Sequence, residues 1–539
     1  MKRKLLLLLC ISISFLVVAQ KPNVIIIYAD DLGYGDLSCY GATKIHTPNL
    51  DKLAKQGLRF TNAHSTSATC TPSRYALMTG QYPWRRTGTN ILPGDAALIV
   101  PTNKITLPKV FKQAGYQTAI VGKWHLGLGD QVEKNWNGEI KPGPNETGFD
   151  YSFIFPATAD RVPTVFVENH YVVGLDTADP IQVDYHKKIG NDPTGAEHPE
   201  LLKMRASPNH GHNNTIVNGI GRIGFMSGGK TARWTDEEMP LTFLEKAKEF
   251  IDVNKSKPFF LFYTLTEPHV PRMPSTMFKG KSGLGFRGDA ILQLDWAVGE
   301  IMKQVKAAGI EKNTIIIFSS DNGPVLDDGY VDGAVGEIMK QVKAAGIEKN
   351  TIIIFSSDNG PVLDDGYVDG AVTQLNGHTP NGPFRGGKYS ALEAGTRIPF
   401  IMNWPGKVHS KTFDALICQI DLLASFASLL HVPFANGEAT DSKNMLPALL
   451  GKSNAGRSEL VTQGGALSII KDGWKYIEPN NGPANTGPLL TNIETGNAPH
   501  AQLYHLAKDK SESINLAGSF PGKVKELAAL LEKIKQNKH

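Results

Sequence analysis

Short apolar, β-branched runs recur along the chain and alternate with stretches whose apolar residues repeat at helical spacing. Residues 24–28, 117–121, 259–265 and 314–318 are continuous enough to predict strands buried on both faces. The helices between them announce their ends. Thr47 and Pro48 open one that Gly57 closes, and Thr106 and Gly115 bracket another. Residues 290–308 carry helical periodicity just ahead of the strand at 314. This alternation predicts an α/β fold: a large, mostly parallel sheet with helices on both faces. From about residue 411 the pattern turns to mixed α+β, with a strand over 473–477 and a closing amphipathic helix over roughly 522–535. A large domain over 20–410 and a smaller C-terminal α+β domain over 411–539 are therefore expected. The stretch 176–240, rich in Gly, Asn, Pro and His, reads as an irregular insertion.

Residues 1–19 fall outside this pattern. Lys2, Arg3 and Lys4 precede an apolar run over 5–18, too short to span a bilayer comfortably, and Val17-Val18-Ala19 offers a cleavage site before Gln20. The expectation is a removable signal, hence a secreted or periplasmic protein without a membrane span. Of the formal charge of +4, three positive charges leave with the signal, so about +1 remains. That balance excludes the basic footprint of a nucleic-acid binder. Cys10 leaves as well. Cys39, Cys70 and Cys418 are too few and too scattered for a disulfide framework. An odd thiol in an oxidising compartment calls for a chemical reason.

Residues 297–333 recur without a change at 334–370. Two undiverged copies are not a solenoid. The unit holds a helix, a strand and an Asp-Asn-Gly turn, so one copy alone can fill a given place in the sheet. Without the surplus 37 residues the 539-residue chain would have 502. The short helix-to-strand connection favours the first copy, which puts the surplus after Gly323, in a loop leading to Lys388.

Polar residues follow four of the predicted strands: Asp30 and Asp31, Lys123 and His125, His269, then Asp321 and Asn322. Ligands of open α/β sheets bind outside the carboxyl ends of the strands, so these groups point to one site. Taken singly each is bland. Paired aspartates before Gly make turns, Asn-Gly is a turn dipeptide, lone lysines are solvated, and lone histidines sit in cores. Together, Asp30, Asp31, Asp321 and Asn322 form an oxygen-only donor set that suits Ca²⁺ or Mg²⁺ better than Zn²⁺. The duplication leaves Asp358 and Asn359 as rivals for the second pair. Cys70-Thr71-Pro72-Ser73-Arg74 opens a further helix, where backbone N–H groups and the dipole attract anions and Arg74 lies one turn on. His210, His212, Asp160, Arg161 and Arg222, in or near the insertion, are candidates for contacting substrate, but each reads first as a surface polar residue.

Cys-x-Pro-Ser-Arg is the modification motif of the formylglycine-dependent, arylsulfatase-like sulfatases, and the chain resembles that family over most of its length. Ordered matches run through NVIIIYADDLGYG (23–35), CTPSRYALMTG (70–80), GKWHLG (122–127), EPHVP (267–271), the segment 320–323, RGGK (385–388) and LYHLAKDKSESINLA. The resemblance implies an alkaline-phosphatase-like fold and hydrolysis of sulfate esters on a sulfated sugar or an aryl sulfate. It implies a Ca²⁺ held by Asp30, Asp31, Asp321, Asn322 and residue 70. It also implies that a separate maturation enzyme oxidises Cys70 to formylglycine (3-oxoalanine), whose hydrate attacks sulfur. Arg74, Lys123 and Lys388 would neutralise the sulfuryl oxygens. His269 or Lys388 would protonate the leaving alcohol, and His125 would deprotonate the remaining hydroxyl so that sulfate departs. A thiol has no such exit. Two other readings stand beside this one: a phosphoester or phosphonate hydrolase on the same scaffold, and an inactive or glycan-binding homologue.

Overall fold

The computed structural model describes residues 21–206, 211–310, 313–320, 366–404, 407–486 and 493–537. The expected signal over 1–19, His210, both Asp-Asn pairs of the duplicated unit and the side chains of 315–320 lie outside this description.

One ten-stranded sheet organises the chain. Its strands are β1 (Asn23–Ala29), β2 (Leu58–Phe60), β3 (Gln117–Lys123), β4 (Tyr151–Phe155), β5 (Val167–Glu168), β6 (Tyr171–Val172), β7 (Phe259–Thr264), β8 (Thr314–Ser320), β9 (Phe400–Met402) and β10 (Lys411–Phe413). The spatial order is β10-β2-β9-β8-β1-β7-β3-β4-β5-β6. The five central strands, β8-β1-β7-β3-β4, run parallel, and antiparallel pairs flank them on both sides. The first copy of the duplicated unit supplies β8, whose register sets Asn23 opposite Thr314 and Ala29 opposite Ser320.

Period-two side chains explain the unbroken apolar runs. Val24, Ile26 and Tyr28 face one hydrophobic layer, with Ile120, Phe260 and Phe262. Ile25, Ile27 and Ala29 face the other, with Val121, Leu261 and Tyr263. Helices α1 (Pro48–Gln56), α4 (Met239–Asn254) and α5 (Gly285–Ala307) cover the second layer, while α3 (Leu107–Gln113) lies on the first, where Phe111 stacks on Phe260 at 4.1 Å. The intervening α2 (Cys70–Thr79) is buried along its whole length. In α4 the buried Phe243, Leu244, Ala247, Phe250 and Ile251 trace one helical face.

Residues 411–430, assigned on sequence to the smaller unit, pack with the large sheet. β10 is its edge strand, and α6 (Leu422–Leu430) buries Leu422, Leu423 and Phe426 in the same layer as Phe111. A separate antiparallel sheet follows, built from β11 (Glu459–Gln463), β12 (Leu467–Lys471), β13 (Trp474–Ile477) and β14 (Gln502–His505). Leu527 and Leu531 of α7 (Pro521–Gln536) close its apolar face. Among the described residues, no helix is long and apolar enough to cross a membrane.

The turn after β1 is clamped from two sides. Asp36 accepts two bonds of 2.6 Å from the Arg287 guanidinium of α5, one of 2.8 Å from His378 and one of 2.7 Å from the Gly33 amide. Burial alone would raise the Asp36 pKa, but Arg287 and His378 outweigh it and hold the carboxyl well below its usual range. A depressed folded pKa means stability that is present above about pH 4, the unfolded value, and lost as pH falls below it. Asp36→Asn is therefore expected to destabilise at neutral pH by about 3–5 kcal/mol, because Arg287 is left buried without its carboxylate. It should also remove part of the acid limb. Urea denaturation of both proteins at neutral and at acid pH checks both effects.

Candidate active site

Every predicted site residue within the described chain arrives at the carboxyl edge of the parallel strands. Asp30 and Asp31 follow β1 and are each 1% exposed. Lys123 is the last residue of β3, two beyond the expected strand end, and His125 stands two further on. The Asp30 amide donates to Glu267 O (3.0 Å), which draws the turn carrying His269 beside the first strand. Cys70 is the first residue of α2, after Thr69 in extended conformation. Thr71 Oγ1 donates to His125 O (3.2 Å) and Arg74 Nη1 to Lys123 O (3.3 Å), so the helix start and the 123–125 segment hold one another.

The charges interlock. Lys123 Nζ lies 2.6 and 2.5 Å from the two Asp30 oxygens, and Arg74 Nη2 is 3.9 Å from Asp30 Oδ1. Arg74 also covers the Tyr28 ring at 5.0 Å. Lys388 Nζ donates to Asp31 Oδ2 at 2.8 Å, and His269 Nε2 stands 3.8 Å from the same oxygen. The two lysines that alone would read as solvated are buried, as are both histidines. Burial pushes the Asp30 pKa up, but Lys123, His269 and Arg74 together bring it down to about 2. Burial lowers the His125 pKa well below its usual value, and Lys123 and Arg161 lower it further. Leu92 O, 3.0 Å from His125 Nε2, can only accept, so Nε2 carries the hydrogen and Nδ1 keeps a lone pair. Burial also lowers His269, with Lys388 and Lys123 adding to it against the pull of Asp30 and Asp31. Its Nδ1 faces Val270 O at 2.7 Å.

The donor set fits a divalent cation. Ligand atoms of Asp30, Asp31 and His269 all lie within 4.8 Å of one another. The structure brings the His269 imidazole beside the two carboxylates of the expected oxygen donor set. Its place after a predicted strand put His269 at the same edge, and the pairing of β7 with β1 sets how close it comes to Asp31. Asp321, Asn322, Asp358 and Asn359 lie outside the described residues.

The insertion departs from expectation. Asp160, His212 and Arg222 are buried rather than on the surface. His212 Nε2 lies 2.8 Å from Asp160 Oδ2, and Arg161 Nη1 is 3.1 Å from Asp160 Oδ1. Arg222 pairs with Asp236 at 2.9 and 2.6 Å and donates to Ala159 O, which fixes the backbone before Asp160. Burial opposes ionisation of Asp160, yet Arg161, His212 and His269 hold its pKa well below the usual range. Burial lowers the Arg161 pKa, but the charges of Asp160, Tyr185 and Cys70 outweigh it and hold the pKa above its usual value. Asp160, His212 and Arg222 were candidates on sequence, but irregular backbone carries no period from which their burial could be read.

So much fixed positive charge around a helix start suits one class of chemistry, hydrolysis of esters of a tetrahedral oxyanion. Comparison with known proteins narrows the class. The family model described as Sulfatase matches residues 22–330 and 329–432. The chain is 52% identical over 519 residues to an N-acetylgalactosamine-6-O-sulfatase of Bacteroides thetaiotaomicron, covering 96% of this chain and 94% of that protein. It is 28% identical over 551 residues to human arylsulfatase A, covering 99% and 90%. A solved structure concerned with the metabolism of multiple glycosaminoglycans by Bacteroides thetaiotaomicron superposes with a TM-score of 0.88 at 51% identity, covering 96% of this chain and 100% of that one. The chain belongs to the sulfatase family, within the alkaline phosphatase superfamily, and hydrolyses sulfate esters.

One backbone position makes this edge possible. Gly122 has φ +115°, and a Cβ there would lie 1.7 Å from Thr264 O. Any side chain must push β3 off β7 just where Lys123 is presented. Gly122→Ala is expected to cost several kcal/mol, of the order of other strained core substitutions at about 3 kcal/mol, and to abolish turnover. Denaturant midpoints and a sulfatase assay check it, and a stable, active variant would contradict the close approach.

Proposed function

We propose that the chain is exported, carries formylglycine at position 70 and a Ca²⁺ beside it, and removes the 6-O-sulfate of N-acetylgalactosamine in a sulfated glycan. The observation that carries the substrate reading is the 52% identity to an N-acetylgalactosamine-6-O-sulfatase, extending over 96% of this chain and 94% of that protein. The motif at Cys70 supports oxidation by a transient maturation enzyme, and the basic, then apolar, residues 2–18 support export.

Asp30, Asp31, Asp321 and Asn322 would hold the cation with residue 70, and a cation bound there supplies Lewis acidity that acidifies and orients the nucleophilic hydroxyl. The remaining work falls to the chain's own side chains. Arg74, Lys123 and Lys388 surround the sulfuryl group with fixed charge, which counts most in a site closed to water. His125 is neutral, with its Nε2–H engaged by Leu92 O, so Nδ1 can take the proton that leaves position 70 as sulfate departs. His269 or Lys388 would give a proton to the departing sugar oxygen; with Nδ1–H engaged by Val270 O, His269 does so from Nε2 only as the imidazolium, the form that Asp30 and Asp31 favour against burial. Asp160, Arg161 and His212 supply acceptors and donors for the sugar hydroxyls.

Two experiments test this reading. Expressed with a maturation enzyme, the mature protein should show an aldehyde at residue 70 by peptide mass spectrometry. It should also release sulfate from 6-O-sulfated N-acetylgalactosamine ahead of other sulfated monosaccharides, an aryl sulfate and an aryl phosphate. Preference for the phosphate, or activity with an unmodified thiol, overturns it. Chelation should abolish turnover and Ca²⁺ should restore it better than Zn²⁺. Asp321→Ala should lower kcat by about 10²-fold or more while Asp358→Ala keeps most activity. The reverse pattern would move the metal pair to the second copy.

A further inference from the structure

The two identical copies meet different fates in the fold. The first supplies the end of α5 and then β8. Its Ala297, Val298, Ile301 and Val305 are buried, Gly299 sits where a Cβ would press on Asn49, and Thr314 Oγ1 accepts from Asn23 Nδ2 at 3.1 Å. The second copy supplies residues 366–370. Tyr367 is 1% exposed, its hydroxyl donates to Gly221 O at 2.7 Å, and its ring meets the His212 ring edge-on with centroids 4.7 Å apart. The Val368 amide donates to Arg205 O at 2.9 Å. Asp369 Oδ2 accepts from Arg272 Nη1 at 2.6 Å, and Arg272 Nε donates to Pro268 O at 2.8 Å, one residue before His269. Tyr367 thus braces the His212–Asp160 pair, and Asp369 braces the turn that carries His269.

We propose that Tyr367 and Asp369, and not their identical counterparts Tyr330 and Asp332, are positioning residues for the sugar side of the site. The native unit is then assembled from the helix and strand of the first copy and the tail of the second. Identical sequences have identical local preferences, so only connectivity can choose between them. α5 runs unbroken from unique sequence at Gly285 into the first copy. The second copy runs straight from Gly370 into unique sequence that leads to Lys388. Each unique flank therefore holds the half joined to it directly. Placing the opposite halves would put 37 extra residues into a native connection at each end.

Paired variants of the full chain test this, since each pair shares its local sequence. Tyr367→Ala and Asp369→Asn are expected to lower kcat/KM on the sulfated sugar by about tenfold or more, chiefly through KM, and to change an aryl sulfate less. Tyr330→Ala and Asp332→Asn should stay within about twofold of the unaltered protein. Tyr367→Phe, which keeps the ring on His212, should recover most of the loss. Ile301→Ala should lower the melting temperature, while Ile338→Ala should not. The split between KM and kcat rests on the sugar reading above, but the melting comparison does not. If Tyr367→Ala fails to fold while Tyr330→Ala melts normally, the assignment stands. Equal effects within a pair, a larger effect from Tyr330 or Asp332, or no effect of Tyr367→Ala would overturn it.

Discussion

Lys123 and Asp30 are paired at 2.5–2.6 Å in a place where neither is more than 1% exposed, and the catalytic edge is arranged around that burial. Taking charges out of water costs several kcal/mol per ion, which only close opposite charges and good hydrogen bonds offset. Asp30 is therefore met by Lys123, His269 and Arg74, and Asp31 by Lys388 and His269. The same low-polarity surroundings that make these pairs necessary strengthen the pull of each cation on any anion that enters. They also keep His125 neutral and able to accept a proton.

Holding such a cluster in place requires rigid support, and part of that support comes from the C-terminal sheet. Gln463, at the end of β11, exchanges backbone hydrogen bonds with Thr66 and Ala68, just ahead of Cys70. Tyr389, next to Lys388, donates to Ala68 O at 2.8 Å and accepts from the Gly465 amide at 3.1 Å. Below them Lys475 is wholly buried between Glu393 and Glu512, at 3.1 and 3.0 Å. The segment leading into Cys70 and the Lys388 loop are thus tied to the same hairpin. The smaller sheet is a structural part of this edge, although among the described residues it contributes none of the charged groups clustered at Asp30 and Asp31.

Much of this was legible along the chain. Continuous apolar runs mark β1, β3 and β7 because a parallel strand buries both of its faces. Pro48 and Gly57 mark the ends of α1 because their preferences are local, while Thr47 precedes it without a side-chain cap. The polar residues after those strands were readable because strand ends fix which edge they reach, and the Cys70 motif because its residues are contiguous. By itself the sequence determined the α/β class, the catalytic edge and the sulfatase reading. Tertiary structure alone decided what depends on contacts between distant segments. It set how close His269 comes to the aspartates through strand pairing, buried Asp160, His212 and Arg222 in and beside the irregular insertion, and packed residues 411–430 with the large sheet. It also placed the first copy's strand beside β1 and the second copy's tail against His212. Two identical sequences carry no local information to separate them, so only the chain on either side could decide which half of each was used.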